Sequence, residues 1–595
     1  MKKLLGALLV CAMVLTGCGS QSGGGDQLSV YHDYETANRE VTSFNYLGDY
    51  QAINLQVVTN FVDGLVEHDA NGKLINALAD SYEKNEDATV WTFKLKDGIK
   101  WLKRDGSEYA DVKAEDFVTA VKYTLTAANK SSNIPMVTSF IKGAEEYYKA
   151  SDEGTATDEL FENVGVKALD DKTIEFTMVA SKPYFDTALT YGCFYPVNAD
   201  FLKEVGETAF GSDPDKILYN GCYLMKEFTK DSYKEYVRNE KYWDVKNVPF
   251  ETVQVTIIES LSRAYDMFAT GELDRAVLTP ENIMVLNKEG SEYYDNLVET
   301  PAGPYSYVIW FNHDQAGNPD WNAATNNINF RKAWYYGINP TEYQKRTNPI
   351  NPSALNNNTY TASGLVSTSD GTDYTKLDEL KAFSGEGITQ YQPEKAAEYK
   401  AKAMEELSAQ GVTFPIKVSY PYQNGNQTSE ETFQVVKGSF EESLGSDFIV
   451  VEGLPYIKSA TSELYSKNLQ SIQISGWGAD YGDPQNYLVQ LTQEGTMNQN
   501  YIHFTDNELD KMVAEADKIL DLDTRYHEFA KIEAYVLENA YVVPIMVDGH
   551  QVELTKVNDY SKPNAKYGMA SKKIKYWETK NEPYTKAEYE EAAKK

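Results

Sequence analysis

The residues with the clearest potential for chemistry lie in the segment GWGADYGDP, residues 476–484, which places Asp480 and Asp483 three positions apart. Two neighbouring carboxylates can act as general acid and base on a glycoside, provided that they lie a suitable distance apart and that one pKa is raised. They can also bind a cation, but the segment lacks the regularly spaced oxygen donors of a calcium loop. Either aspartate can instead cap a turn, and this interpretation is favoured for Asp483 because it precedes a proline.

Little else in the sequence could support catalysis. The chain has four cysteines and six histidines, and no spacing ties a histidine to a cysteine as a nucleophile or sets out the ligands of a zinc site. The GxxxxGK[ST] nucleotide-binding loop does not occur, so any energy source must lie in a partner. We therefore expect no enzyme activity, no metal ion and no cofactor, with a surface enzyme or adhesin as the weakest alternative.

The first residues predict export and a lipid anchor. Two lysines precede an apolar stretch, residues 4–15, that is too short to span a membrane and ends in small residues before Cys18. This arrangement resembles the lipobox of bacterial lipoproteins, in which the chain is cut before the cysteine and the thiol carries a lipid. We expect residues 1–17 to be a signal peptide and residues 18–27 to be a lipidated flexible tether. An ordinary cleaved signal with an incidental cysteine is the alternative.

Charge and composition narrow the choice of partners. The chain has 595 residues, with 56 Lys and Arg against 89 Asp and Glu, and its formal charge of −33 repels nucleic acid. After Cys18 no apolar run reaches the ~18 residues that a membrane helix needs. A chain of this length exceeds one core and predicts two or three lobes. The 44 tyrosines suit either the partly wet wall of a cleft or a tyrosine-rich core.

Cysteine usage predicts one disulfide. Cys11 leaves with the signal peptide and Cys18 carries the lipid, so the mature chain retains Cys193 and Cys222. In an oxidising compartment we expect such a pair to be bonded.

Strands and helices alternate around these residues, without internal repeats. Apolar patterns predict strands at residues 28–32, 252–258 and 541–547, and a strand followed by a hairpin turn at Asp97-Gly98 within residues 90–106. Amphipathic patterns predict helices at the start of residues 54–74 and at residues 114–129, 507–520 and 524–540. Residues 348–373, rich in Asn, Ser, Pro and Gly, predict a long surface loop.

Six segments, in a fixed order along the chain, carry a family resemblance. They are FVDGLVEHDANGKLINALADSYEKNEDATVWTFKLKDG, ILYNGCYLMKEF, ATGELDRA, INFRKAWYYGINP, GWGADYGDP and LENAYVVPIMV. Together they resemble the peptide/nickel-type solute-binding proteins of ABC importers, extracellular solute-binding protein family 5, and most closely its oligopeptide-binding lipoproteins from Gram-positive bacteria. The resemblance covers the chain from about Leu28 onward. One departure is Gly221-Cys222, where the family commonly has Gly-Pro.

The resemblance implies an α/β fold in which two lobes close like a clamp. This is the periplasmic-binding-protein-like arrangement of type II, cluster C, with an extra inserted domain. It implies a discontinuous first lobe of residues 28–61, 198–301 and 553–595, an inserted domain of residues 62–197, and a further lobe of residues 302–552 that carries GWGADYGDP. Hinges would lie near residues 302 and 553, and closure would bury the ligand.

Residue-for-residue transfer from the family gives GWGADYGDP a role in binding. It implies that Asp480 pairs with the N-terminal ammonium of a peptide and that Gly476, Trp477 and Gly478 lie along the peptide. Such a partner is needed because an unpaired ammonium in a dry cleft costs several kcal/mol. Glycines allow a peptide backbone to approach closely, and backbone pairing gives affinity without reading side chains. Trp477 would also form the apolar wall of a side-chain pocket.

The resemblance also implies a second pairing strand and a set of partners. Residues Tyr50, Gln51 and Ala52 match the position from which the first lobe offers this strand. The expected protein is a monomer, held by its lipid on the extracytoplasmic face of the cell membrane, that delivers oligopeptides to an ABC permease with cytoplasmic ATPase subunits.

Cargo other than nutrient oligopeptides remains open. An oligosaccharide stacked on Trp477 is the main alternative, and the same fold carries heme and nickel complexes. Ile474 stands where some close relatives have arginine, so the sequence places no receiver for the ligand carboxylate. Longer peptides are therefore favoured, and peptide pheromones are a further alternative.

Overall fold

The described part of the chain, residues 27–49 and 51–594 of this computed structural model, alternates strands and helices throughout. The first strands are β1 (Val30–Thr36), β2 (Val66–His68), β3 (Leu74–Asn76), β4 (Ala79–Lys84), β5 (Val90–Leu95), β6 (Lys100–Leu102), β7 (Glu108–Asp111), β8 (Val166–Ala168), β9 (Thr173–Thr177), β10 (Tyr223–Thr229), β11 (Tyr233–Arg238), β12 (Thr252–Ile258), β13 (Arg275–Val277) and β14 (Val298–Glu299). The later strands are β15 (Ala302–Phe311), β16 (Ile416–Gln423), β17 (Ile449–Tyr456), β18 (Ile472–Gly478), β19 (Val542–Gly549), β20 (Val552–Thr555), β21 (Val557–Asn558) and β22 (Glu578–Thr579).

The α-helices lie between these strands. The first are α1 (Ala52–Val58), α2 (Ala114–Leu125), α3 (Ile134–Phe140), α4 (Ala144–Asp152), α5 (Asp158–Phe161), α6 (Phe185–Ala188), α7 (Ala199–Val205), α8 (Leu261–Ala269), α9 (Pro280–Leu286) and α10 (Pro319–Asn326). They are followed by α11 (Ile328–Gly337), α12 (Thr341–Gln344), α13 (Lys381–Ser384), α14 (Pro393–Ala409), α15 (Gln427–Leu444), α16 (Ala460–Glu463), α17 (Gln485–Leu488), α18 (Asn507–Ala516), α19 (Leu522–Glu538) and α20 (Lys586–Ala592). Within the residues described, no helix has both the length and the apolar content that crossing a membrane requires.

Four of the sheets group the chain into the expected parts. One sheet has the order β1-β12-β11-β10, with β1 parallel to β12, and a second has the order β13-β20-β14. The third sheet, β4-β5-β9-β8, takes all its strands from residues 79–177. The fourth, β18-β15-β19, is antiparallel and lies within residues 302–549. This grouping follows the order of the predicted lobes, whose residue limits remain a prediction.

Among the residues that the structure describes, buried side chains form three cores. The largest joins the first lobe to the predicted inserted domain, because Tyr31 and Trp91 belong to the same cluster. The second surrounds β15 and buries Trp310, Trp321 and Trp334 completely or almost so. The third is small and packs α8 and α9 against β20. The sheet that carries GWGADYGDP therefore rests on a rigid, aromatic core.

Most of the predicted elements are confirmed. The structure has β12 at residues 252–258 as expected, and α2, α18, α19 and β19 lie where apolar periodicity placed them. The predicted hairpin at Asp97-Gly98 is wrong. Strand β5 pairs with β4 and β9, whereas β6 pairs with β7, so this turn connects two different sheets.

The predicted surface loop at residues 348–373 is irregular, as expected, but it is partly buried. Leu355 and Tyr360 are fully inaccessible and belong to the second core. The carboxylate of Glu533 in α19 accepts hydrogen bonds from the backbone N–H groups of Tyr360 and Thr361 at 2.7 and 2.9 Å. A polar, proline-rich composition predicts an irregular backbone, but it does not reveal that a distant buried acid satisfies that backbone.

Candidate functional site

GWGADYGDP begins on a strand at the edge of its sheet. Strand β18 pairs antiparallel with β15, which places Gly476 opposite Tyr307 and Gly478 opposite Tyr305. Just before β18, the backbone N–H of Ser471 donates to a carbonyl in β16 at 2.9 Å, but the described sheet gives the later part of β18 no second strand partner. One row of backbone groups beside the glycines is therefore available to an extended chain.

The two glycines allow tyrosine rings to lie against this strand. A Cβ at Gly476 would come within 2.8 Å of the Tyr307 ring, and a Cβ at Gly478 within 2.7 Å of the Tyr305 ring. Carbon atoms do not pack at these distances, so any larger residue would displace the rings. This requirement for glycine was not visible in the sequence, which suggested only close approach of a ligand backbone.

Asn486 fixes Trp477 and Asp480 relative to one another. Its Oδ1 accepts hydrogen bonds from Nε1 of Trp477 at 3.0 Å and from the backbone N–H of Asp480 at 3.2 Å. Its Nδ2 lies 3.5 Å from Oδ2 of Asp480. Asn486 is buried in α17, and sequence reasoning missed it. The only signal was an amide residue in the turn after Asp480, and nothing indicated which groups it would reach.

Asp480 is a partly buried carboxylate that forms no ion pair within the described part of the chain. Burial raises its pKa to about 6, and the hydrogen bond from Asn486 opposes this rise. Burial and then the negative charge of Asp480 raise the pKa values of the Tyr191 hydroxyl and the Cys193 thiol, so both groups lie near it. A carboxylate in this state gains stability from any cationic group that a ligand brings.

Asp483 has a very different environment. Its fully buried carboxylate forms a two-point ion pair with Arg525, with Oδ2 2.7 Å from Nε and Oδ1 3.0 Å from Nη2. Oδ1 also accepts a hydrogen bond from the backbone N–H of Gln485 at 2.9 Å, so Asp483 stabilises a turn, as one of its two predicted roles required. The N-cap of α17 is Pro484. Because Arg525 neutralises Asp483, the geometry opposes a catalytic pair with Asp480. Among the described residues no group of His, Cys, Asp and Glu side chains is arranged to hold a metal ion.

The residues after Asp480 contact a segment of the predicted inserted domain. The rings of Tyr481 and Tyr184 stack with centroids 5.3 Å apart, and the next N–H in the chain donates to Oγ1 of Thr187 at 2.9 Å. Nearby, Nζ of Lys182 forms an ion pair with Oδ2 of Asp517 at 2.7 Å. These contacts join residues 182–187, one flank of the site, to the segments around Tyr481 and Asp517, its other flank.

Gln51 and Ala52 do not form the predicted pairing strand. Gln51 is the N-cap of α1 and Ala52 is its first residue. The backbone carbonyl of Gln51 accepts hydrogen bonds from the N–H groups of Asn54 and Leu55 at 3.0 and 3.1 Å, so it is already used by the helix. Tyr50 lies outside the described residues.

The predicted disulfide between Cys193 and Cys222 is also wrong. Both cysteines are free and buried. Cys193 lies near Asp480, whereas Sγ of Cys222 donates a hydrogen bond to the backbone carbonyl of Asn60 at 3.4 Å. The two thiols face different neighbourhoods, and counting cysteines cannot reveal that. Cys18 lies outside the described residues.

Comparison with known proteins supports a single family. The family model described as bacterial extracellular solute-binding proteins, family 5 Middle, matches residues 73–499. The oligopeptide-binding protein SarA of Streptococcus gordonii is 30% identical over 651 residues, covering 100% of this chain and 96% of the relative. The oligopeptide-binding protein AliB of Streptococcus pneumoniae serotype 4 is 30% identical over 650 residues, covering 100% of this chain and 95% of the relative.

Solved structures share the fold. The substrate-binding domain of an oligopeptide ABC transporter from Bacillus anthracis str. Ames matches with a TM-score of 0.70 and 22% identity, covering 94% of this chain and 100% of that one. Listeria monocytogenes OppA bound to peptide matches with a TM-score of 0.69 and 22% identity, covering 93% and 99%. The predicted two-lobed α/β fold is thereby confirmed. The chain belongs to family 5 of the bacterial extracellular solute-binding proteins.

Proposed function

We propose that this chain captures oligopeptides beside β18 and delivers them to an ABC permease with cytoplasmic ATPase subunits. The observation that carries the proposal is Asp480, a partly buried carboxylate without a counter-charge in the described chain, next to an open strand edge. A peptide supplies both missing partners, because its N-terminal ammonium can pair with Asp480 and its amides can pair with the edge. Trp477 then forms one wall of a side-chain pocket.

Closure and binding are coupled through the same carboxylate. In an open form, water can solvate Asp480, whereas in the structure described here its carboxylate is partly buried and the adjacent Tyr481 stacks on Tyr184. Closure without a ligand therefore carries a desolvation cost that a bound ammonium offsets. The peptide thus shifts the population toward the form in which Tyr481 stacks on Tyr184 and Lys182 pairs with Asp517.

The relatives support an oligopeptide as the ligand. SarA and AliB are both named oligopeptide-binding proteins, and Listeria monocytogenes OppA was solved bound to peptide. In this proposal GWGADYGDP contributes the anchor from residues 302–552, while Gln51 and Ala52, at the beginning of α1, approach the ligand from the first lobe. The first lobe comprises residues 28–61, 198–301 and 553–595, and residues 62–197 form the inserted domain.

The proposed cellular arrangement rests on the N-terminal sequence. Its family places the chain among extracellular proteins. The segment of residues 1–17, removed on export, and the lipid on Cys18 would hold a monomer on the extracytoplasmic face of the cell membrane. Residues 1–26 lie outside the described part of the structure.

The ligand can be identified directly. Protein expressed without its signal and lipid site should retain cargo through purification, because the closed form buries it. Denaturation followed by mass spectrometry of the released molecules should give a series of peptides with free amino termini. Release of sugars would instead support the oligosaccharide alternative. Release of heme or a metal chelate would contradict a peptide as the ligand, but it would leave the assignment of the fold unchanged.

Peptide affinity should depend on the ionisation of Asp480. Its pKa in the ligand-free protein is raised to about 6 by burial, and the ammonium binds only the ionised form. Affinity should therefore be constant near pH 7 and fall as the pH drops through about 6, with roughly a tenfold loss by about pH 5. Titration calorimetry across this range measures the loss directly. An affinity that stays constant down to pH 5 would remove Asp480 as the ammonium's partner.

A further inference from the structure

The C-terminal segment of residues 567–572 borders the Asp480 site. The backbone N–H of Gly568 donates to the carbonyl of Ala479 at 3.1 Å, and that of Met569 donates to the carbonyl of Thr190 at 3.2 Å. Ala479 immediately precedes Asp480, so this segment runs between the two flanks that close on the site. None of it belongs to GWGADYGDP, and sequence reasoning gave it no role.

Lys572, the last residue of this segment, carries a cation without a partner. Its side chain is half-buried, and its ammonium forms no hydrogen bond or ion pair with any residue that the structure describes. Burial lowers its pKa, and the positive charges of Lys562 and Arg39 act in the same direction, whereas Asp548 opposes them. A desolvated ammonium in this position is costly unless an anion reaches it.

The next lysines along the chain are buried and are neutralised by carboxylates, as buried ammonium groups usually are. Lys573 forms ion pairs at 2.6 Å with both Asp63 and Glu67, and Lys575 forms an ion pair with Glu67 at 2.5 Å. Both lysine side chains are as buried as core residues, and carboxylates of this same chain pair with their ammonium groups. The missing partner of Lys572 is therefore a local exception within a segment that otherwise pairs its lysines.

Tyr305 lies near charged residues of both signs. Its ring covers Gly478, and its backbone N–H donates to Oδ1 of Asp548 at 2.7 Å. Burial, followed by the negative charges of Asp548 and Asp480, raises the pKa of its hydroxyl to about 12, and Arg39 opposes this rise. Tyr305 is thus near Asp480 and also near Arg39 and Asp548.

The charges around Asp548 leave a positive excess. Asp548 attracts both Lys566 and Lys572, so one carboxylate faces two ammonium groups. Nζ of Lys566 is occupied by the carbonyl of Ala302, and Arg39 is paired with Glu35 at 3.4 Å. Lys572 is the cation of this group that keeps its hydrogen-bonding capacity free, as far as the described chain shows.

We propose that Lys572, with Arg39 nearby, receives a carboxylate of the same ligand whose ammonium Asp480 holds. The proposal rests on the proposed function and narrows its substrate class. An extended peptide advances by ~3.3 Å per residue, so the position along the peptide at which a carboxylate is preferred would report its distance from the N-terminal ammonium. The carboxylate comes either from the C-terminus of a short peptide or from an Asp or Glu side chain near the N-terminus of a longer one.

Matched peptides separate these two sources. One pair is a tripeptide with a free or an amidated C-terminus, and the other is a longer amidated peptide with Glu or Gln at its second or third residue. The protein should bind the charged member of at least one pair about tenfold more tightly, as measured by calorimetry. The pair that shows the preference identifies the source of the carboxylate.

Substitution of Lys572 tests the assignment. Lys572→Met should abolish the preference while leaving the affinity for the neutral peptides within about twofold, which also shows that the variant is folded. Lys572→Arg should retain the preference. Lys246→Met, at an exposed lysine in the first lobe, should leave all affinities unchanged.

Two results would overturn the inference, and they are distinguishable. If peptides bind but charged and neutral members bind equally, or if Lys572→Met keeps the preference, Lys572 does not receive the carboxylate and the proposed function stands. If none of these peptides binds the unaltered protein, the proposed function itself fails, and the inference fails with it.

Discussion

Asp480→Asn is expected to weaken peptide binding by roughly a hundredfold, or about 3 kcal/mol. Asparagine preserves the shape of the side chain but removes the charge that a peptide ammonium needs in a closed cleft. Within the described residues no other carboxylate is among the neighbours that share a hydrogen bond or an electrostatic interaction with Asp480, which are Tyr191, Cys193, Tyr305, Tyr481 and the amide of Asn486. Titration calorimetry with one peptide and both proteins measures the loss.

The stability of the ligand-free variant separates lost binding from lost folding. The raised pKa shows that burial disfavours the charge of Asp480 in the absence of a ligand. Asp480→Asn removes that charge, so the ligand-free variant should unfold at the same or a higher urea concentration. Asp266→Asn, at an exposed position in α8, is the matched control and should change neither quantity. Unchanged peptide affinity in Asp480→Asn would refute the role assigned to Asp480.

The sequence predicted the ligand-facing half of the site because that half is local. GWGADYGDP lies on one strand and the turn that follows it, so a single short pattern contains Gly476, Trp477, Gly478 and Asp480 together. The family resemblance then supplied the role of each residue. The same pattern also predicted that Asp483, unlike Asp480, has a structural role, because an aspartate before a proline indicates a turn.

The supporting half of the site could not be predicted because its partners are distant in sequence. Arg525 reaches Asp483 from α19, and Tyr305 reaches Gly478 from the neighbouring strand, β15. Lys572 borders the site from the last part of the chain, where no motif marks it. Such contacts depend on sheet order and lobe closure, which periodicity and composition do not specify.

The pairing strand at Gln51 and Ala52 and the disulfide between Cys193 and Cys222 fail for a similar physical reason. Gln51 begins a helix because the side chain of Asp49 accepts a hydrogen bond from its N–H at 2.7 Å and its carbonyl is used by the first turn. Cys193 and Cys222 lie in the same core but are unpaired, because the thiol of Cys222 donates to the carbonyl of Asn60 whereas Cys193 lies near Asp480. In both cases a residue type allowed the predicted structure, but local hydrogen bonds and packing selected another.

Arg525→Met is expected to lower the free energy of unfolding by about 3–5 kcal/mol. The guanidinium uses all its N–H groups: Nε and Nη2 bind Asp483, Nη1 binds the carbonyls of Ala516 and Asp517 at 3.1 and 2.9 Å, and Nη2 binds Oδ1 of Asp517 at 2.7 Å. Despite the opposing effect of burial, Asp483 and its neighbours raise the pKa of Arg525, so the cation is the stable form. Methionine fills part of the space but leaves Asp483 buried without a counter-charge. Urea unfolding of both proteins measures the difference.

A second substitution in the same helix provides the control. Lys531 is exposed in α19 and pairs only with Glu528 at 2.8 Å, so Lys531→Met should change the stability by less than about 0.5 kcal/mol. Removing both buried charges, with Asp483→Leu added to Arg525→Met, should recover part of the loss, because the cost lies in the unpaired carboxylate. A single variant as stable as the unaltered protein would show that Asp483 does not depend on Arg525. Since Asp483 ends the turn that begins at Asp480, the folded fraction of Arg525→Met should also bind peptide more weakly, which links the stability of this ion pair to the geometry of the anchor.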